Sequence, residues 1–293
     1  ANDAELGPFV RKRIKREACM GAAYPAIMAA QRAGARFRHL PRIEDCYERD
    51  DELVVIMEYV RGETLHETVY RRDPSPALAQ EVFPLLCDAV VELHEGFDPP
   101  LIHRDLKPGN VILSEGNLTL IDFGIARAYR EGAEGDTASF GTRAYAPPEQ
   151  FGYGQTDVRS DVYALGMLLY YLLTEEVPSP RLAGGAFDEP GVPVALRPVL
   201  ARATAFDPAA RYPSVRALCE AFMAACAGPQ VPGASAMAQG ASEVPGALPA
   251  WTGGEAAVAP VFAGRPEHLG VSGPEGAGAA RAAAGETPRR NGG

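Results

Sequence analysis

The chain has 293 residues, 46% of them hydrophobic, which suits a soluble globular core in one two-lobed domain or two small ones. Its formal charge of −10 at pH 7 excludes a surface that binds polyanions as a whole, so nucleic acid is not an expected partner. Five cysteines lie scattered without a CxxC pair, as reduced thiols in a cytoplasmic protein would; the longest strongly apolar run, Val162 to Leu173, is too short to cross a bilayer, and there is no signal peptide.

In chain order, residues 1–16 predict a hairpin with its turn near Gly7-Pro8 and a strand from Phe9 to Ile14. Arg11, Lys12, Arg13, Lys15 and Arg16 make a basic cluster of the kind that usually faces solvent. Residues 17–38 predict a helix with Pro25 at or near its start, and no acidic residue occurs from Ala18 to Ile43. Residues 39–65 predict two strands around the charged turn Glu48–Glu52, the second buried from Leu53 to Met57. Residues 77–95 carry Val82, Leu85, Leu86, Ala89 and Leu93 at helical spacing, with a kink expected at Pro84 and with His94 and Glu95 expected to be surface or helix-end residues.

Residues 101–124, LIHRDLKPGNVILSEGNLTLIDFG, are the most informative stretch. Short apolar runs flank a polar turn at Ser114-Glu115-Gly116-Asn117, giving loop, strand, turn, strand, loop. Such a hairpin brings its two outer loops together, so Asp105, Asn110 and Asp122 converge. Mg²⁺ takes hard oxygen ligands and keeps several waters, so the oxygens of Asn110 and Asp122 plus phosphates suffice to hold it. Asp105 is then a separate carboxylate able to accept the proton of an attacking hydroxyl, and Lys107 a cation against a moving phosphoryl group. Singly, each of these residues reads as turn chemistry. The ordered set HRD, Asn, DFG is the protein-kinase signature, and the stretch resembles the catalytic and metal-binding loops of eukaryotic-type serine/threonine protein kinases.

That resemblance implies further roles. Lys12, in FVRKRI, is similar to the ATP-positioning lysine of the family, with Lys15 as the alternative. No Gly-rich loop precedes it, and the loop covering the phosphates is expected to lie before Ala1. The helix glutamate that would pair with the lysine is missing: its position falls near Met28, Gln31 is a neutral substitute, and Glu17 is too close along the chain. Glu58, Tyr59 and Val60 resemble the hinge that binds adenine through backbone groups, with Met57 as gatekeeper. His103 is expected to pack near Asp122-Phe123-Gly124, and Arg104 to receive a phosphorylated residue. Residues 125–150 resemble an activation segment ending in Ala146-Pro147-Pro148-Glu149, with Thr137 and Ser139 as candidate phosphosites and Thr142 beside Asp105 and Lys107. Asp161 is expected to cap the helix over 157–174 and to support the catalytic loop. Arg211, in FDPAARYPS, is expected to pair with Glu149 in the interior.

The expected fold is α+β and two-lobed: a small β-rich lobe over 1–57, incomplete at its start, a hinge at 58–60, and a larger helical lobe over 61–227. Residues 228–293, rich in Ala, Gly and Pro and containing Trp251, are expected to be a disordered tail. The implied activity is transfer of the ATP γ-phosphate, with Mg²⁺, to Ser or Thr of a protein substrate, in a bacterial-like enzyme. A pseudokinase acting as a binding or scaffold module is the alternative, favoured by the missing glutamate and Gly-rich loop and opposed by the intact Asp105, Asn110 and Asp122. A small-molecule phosphotransferase fits the Glu149, Asp161 and Arg211 motifs less well.

Overall fold

The computed structural model describes residues 7–15, 20–128, 144–179, 182 and 185–228. The strand expected before Gly7, Glu17, the hydroxyls of Thr137, Ser139 and Thr142, and the tail from 229 with Trp251 lie outside the described residues.

Three strands form the first sheet: β1 (Phe9–Lys15), β2 (Ile43–Arg49) and β3 (Glu52–Glu58), in the order β1-β3-β2 with both pairings antiparallel. Strand alternation sorts the basic cluster by face. Phe9, Arg11, Arg13 and Lys15 point outward, while Val10, Lys12 and Ile14 point in, which settles the sequence ambiguity between Lys12 and Lys15 in favour of Lys12 as the inward lysine. β2 and β3 are joined at Asp50-Asp51, where Asp50 takes a left-handed φ of 57°, a conformation Asp tolerates better than most residues. Between β1 and β2 lies α1 (Ala23–Arg32), which has no side-chain cap. Pro25 falls in its first turn, where the missing N–H has no helical acceptor to lose.

The remainder is mainly helical. A short strand β4 (Glu63–Thr64) leads into α2 (Leu65–Arg72), and α3 (Pro76–Glu95) follows. Helices α2 and α3 both start where the sequence supplies a cap. The Thr64 hydroxyl accepts from Glu67 N at 3.1 Å while the Glu67 carboxylate accepts from Thr64 N at 2.7 Å, a complete capping box. Ser75 accepts from Leu78 N at 3.2 Å, with Pro76 next in the chain. Helix α3 continues through Pro84 without interruption. Val82, Phe83, Leu86 and Cys87 on its inner face are all buried. Burial of several such side chains at about 1.5–3 kcal/mol each outweighs the roughly 3 kcal/mol a mid-helix proline costs.

Strands β5 (Leu101–Ile102), β6 (Val111–Ser114), β7 (Asn117–Leu120) and β8 (Arg127–Ala128) form two small sheets, β4-β6-β7 and β5-β8. They are followed by α4 (Val158–Thr174), α5 (Arg197–Ala203) and α6 (Val215–Ala227). Helix α4 is buried at every residue from Ser160 to Leu173, as its all-round apolar sequence requires, and it packs on α3, α5 and α6. Its N-cap is Asp157, not the expected Asp161: Asp157 bonds the helix start together with Ser160, and Asp161 lies one turn further in, wholly buried. Among the described residues no helix is long and apolar enough to cross a membrane.

Candidate active site

The β6–β7 hairpin pairs Val111 with Leu120 and Ser114 with Asn117, so the loops outside its two open ends are neighbours. The Ile121 N–H donates to the Asn110 carbonyl at 2.9 Å, tying the loop before β6 to the residue preceding Asp122. Residues Pro108–Asn110 form one 3-10 turn, closed by Asn110 N to Lys107 O at 2.9 Å. That turn folds Asn110 and Lys107 back onto Asp105. The Lys107 ammonium sits 2.7 Å from Asp105 Oδ2, and Asn110 Nδ2 donates to Asp105 Oδ2 at 3.0 Å and to its backbone carbonyl at 2.8 Å. Asp105 is thus a largely shielded carboxylate, its side chain 13% exposed, with its charge balanced by one cation and its position fixed by a neutral amide.

On the facing side, the Lys12 ammonium from β1 forms an ion pair with Asp122 Oδ1, the oxygen that also accepts from Gly124 N at 3.0 Å. Burial pushes the Asp122 carboxyl up, but the Lys12 ammonium and the Gly124 N–H outweigh it and hold the group below its ordinary range. Asp122 has φ of 67°, so the backbone turns sharply after β7. Asp122 Oδ2 and Asn110 Oδ1 carry no hydrogen bond from the described residues. Each residue therefore offers one oxygen, the hard donor set that Mg²⁺ accepts when phosphates and waters complete its shell. Among the described residues there is no cluster of three or more His, Cys, Asp or Glu that could hold a metal by protein ligands alone.

A second set of residues holds the loop in shape. Asp161 accepts from His103 N at 2.9 Å and from Arg104 N at 3.0 Å, and Arg104 takes a φ of 69°. His94 Nε2 lies 2.8 Å from the same carboxylate, so His94, in the last turn of α3, is the helix-end residue expected but a buried partner rather than a surface one. Burial pushes the Asp161 carboxyl up, but His94 and the loop donors outweigh it and the group stays below its usual value. His103 is fully buried with its ring 5.3 Å from that of Phe123; burial lowers its basicity, only partly offset by the charges of Asp161 and Asp105. Further out, Arg211 and Glu149 form a bidentate pair at 2.7 and 2.9 Å, with side chains 0% and 2% exposed.

The remaining sequence candidates divide. Met57 is buried on β3 and pairs with Val10 and Ile43 across the sheet. The Glu58 N–H donates to Arg42 O at 2.9 Å, and its carboxylate accepts from Arg42 N at 2.9 Å. Tyr59 N donates to Pro8 O at 3.0 Å, while the Val60 backbone has no backbone hydrogen bond among the described residues. Gln31 does not reach Lys12: its Nε2 donates to Pro41 O and its Oε1 accepts from Ile43 N, both at 2.9 Å, so the amide staples α1 to β2. The residue from α1 that does reach the site is Tyr24, which sequence reasoning passed over because an aromatic in a helix reads as core. Its hydroxyl accepts from Phe123 N at 3.0 Å.

The model of the protein kinase domain family matches residues 26–188, more than half of the chain. Over 190 residues the chain is 34% identical to serine/threonine-protein kinase A of Synechocystis sp., covering 60% of this chain and 34% of the relative. It is 38% identical over 183 residues to serine/threonine-protein kinase PknB of Mycobacterium tuberculosis, covering 60% of this chain and 27% of that protein. The chain thus spans about a third of these curated relatives or less. Among solved structures, the kinase domain of PknI from Mycobacterium tuberculosis superposes with a TM-score of 0.60 at 26% identity, over 75% of this chain and 86% of that one.

Proposed function

The chain belongs to the protein kinase domain family, and from that premise we propose that it transfers the γ-phosphate of ATP to Ser or Thr hydroxyls of protein substrates. The observation that carries this reading is the Asp105–Lys107–Asn110 knot set beside the Lys12–Asp122 pair. Asp105 accepts the hydroxyl proton of the substrate as its oxygen forms a bond to the γ-phosphorus and the bond from that phosphorus to the β–γ bridging oxygen breaks, leaving ADP. Lys107 balances negative charge next to Asp105. Lys12 orients phosphate oxygens, and Asn110 and Asp122 each offer one oxygen to Mg²⁺, which when bound neutralises charge on the phosphates. The hinge Glu58–Val60 holds adenine through backbone groups. Ser/Thr preference is supported by the relatives, which are serine/threonine-protein kinases. The binding-module alternative drew on the missing helix glutamate and the missing Gly-rich loop; against the first, Asp122 gives Lys12 an acidic partner.

The test is incubation with Mg²⁺-ATP and a generic basic protein, beside an Asp105→Asn variant, with phosphosites mapped by mass spectrometry. The expected result is phosphoserine or phosphothreonine, reduced about 10²–10⁴-fold in the variant. Absence of transfer by the unaltered chain, or equal transfer by both, overturns the reading.

A further inference from the structure

Helix α1 lacks the acidic residue that would tie it to Lys12, and its one polar candidate, Gln31, is fully engaged with Pro41 and Ile43. Yet α1 is fastened to the site at its other end. Tyr24, in the first turn, is wholly buried. Its hydroxyl accepts from Phe123 N at 3.0 Å, its ring meets the Phe123 ring edge-on at 5.8 Å, and the Lys12 ammonium lies 5.9 Å from its ring centre. Just before the helix, Gly21 N donates to Gly124 O at 2.7 Å. The peptide group before Phe123 and the one after Gly124 are therefore held by residues at or just before the start of α1.

We infer that Tyr24 is a positioning residue for Lys12 and Asp122, and that through it α1 sets the geometry of the metal-binding segment in place of an acid–lysine pair. The inference rests on the proposed phosphotransfer site and deepens it. The Phe123 N–H immediately follows Asp122, whose φ of 67° is unfavourable for a side-chain-bearing residue. The Tyr24 hydroxyl fixes the plane of that peptide and so the direction in which the Asp122 carboxylate leaves the chain. The Tyr24 ring, presenting its negative face, attracts the Lys12 ammonium without neutralising it. Lys12 thereby keeps its charge for Asp122 and for phosphate. Burial, and next the Asp122 charge, push the Tyr24 hydroxyl well above its ordinary pKa, so it remains a neutral group at every working pH.

Tyr24→Phe removes only the hydroxyl and keeps the volume, leaving the buried Phe123 N–H without an acceptor. The readout is Mg²⁺ titration of ADP binding by calorimetry, together with melting temperature and amide exchange at Phe123, in the unaltered chain, Tyr24→Phe and Gln31→Ala. In Tyr24→Phe the Mg²⁺ concentration for half-maximal ADP binding is expected to rise about tenfold, with faster exchange at Phe123 and little change in melting temperature. Gln31→Ala, which cuts the staple between α1 and β2, is expected to lower the melting temperature and leave the Mg²⁺ titration alone. A Mg²⁺ titration unchanged in Tyr24→Phe, or ADP binding indifferent to Mg²⁺ in the unaltered chain, overturns the inference. Intact Mg²⁺-dependent binding without phosphate transfer removes the proposed activity instead, and leaves the role of Tyr24 standing.

Discussion

The buried pair between Arg211 and Glu149 gives the sharpest test of how the helical lobe is held together. All five guanidinium N–H groups are spent: two on Glu149, and the others on the carbonyls of Ala205 at 2.7 Å, Arg159 at 3.0 Å and Phe206 at 3.1 Å. Its face lies 4.9 Å from the centre of the Tyr163 ring. Glu149 Oε1 also accepts from the Ser160 hydroxyl at 2.7 Å. Replacing Arg211 by Met leaves a 2% exposed carboxylate with that hydroxyl as its one remaining donor among the described side chains, and takes the guanidinium donor from two loop carbonyls and from the Arg159 carbonyl in the first turn of α4. Loss of one partner of a buried pair costs about 3–5 kcal/mol. For a domain of this size 1 kcal/mol shifts the midpoint by roughly 2–4 °C, so a fall of about 6–20 °C is expected. Glu149→Gln is milder, because the three carbonyls still hold the guanidinium. The double variant is expected to lose less than the sum of the singles, since neither charge is then left alone. The assay is thermal and urea unfolding followed by circular dichroism. A loss below about 1 kcal/mol for Arg211→Met, the scale of an exposed pair, or strict additivity in the double variant, would refute the reasoning.

Two further outcomes follow from other parts of the fold. Asp161 is ionised in the interior with its folded pKa below the unfolded value of 3.8, so its contribution is present above that value and is lost as pH falls through the folded one. The stability gap between the unaltered chain and Asp161→Asn is therefore expected to be constant from pH 5 to 7 and to narrow below about pH 3.8 in acid unfolding titrations; a gap that widens in acid contradicts this. Gly62 has φ of 150°, and a β-carbon there would stand 2.2 Å from the Leu113 carbonyl oxygen, where β4 closes on β6. Gly62→Ala is expected to cost about 1–3 kcal/mol in urea unfolding, whereas Gly109→Ala, which meets nothing, is expected to cost well under 1 kcal/mol.

Much of the site was legible in the chain because its geometry is local. Asp105, Lys107 and Asn110 lie within six positions, and a single 3-10 turn folds them together; Asp122 follows at the end of a hairpin whose turn residues are explicit. The errors arose where a side chain's partner is far along the chain. His94 read as a surface or helix-end residue, and only α4, bringing Asp161 to it from 67 positions away, shows that this helix end is buried. Asp161 looked like a cap because it sits near the helix start, but Asp157 takes that place and the burial of α4 puts Asp161 in the interior.

The sequence by itself determined the hairpin and the ordered Asp105, Asn110 and Asp122, because turn chemistry and side-chain period act over a few residues. Only the tertiary structure decided that Lys12 and not Lys15 faces inward, that Gln31 staples α1 to β2, and that Tyr24 meets Phe123 across 99 positions. Those choices depend on which faces come together when the core closes. Burial then fixes the partner of each polar group, since a donor or acceptor removed from water must find another.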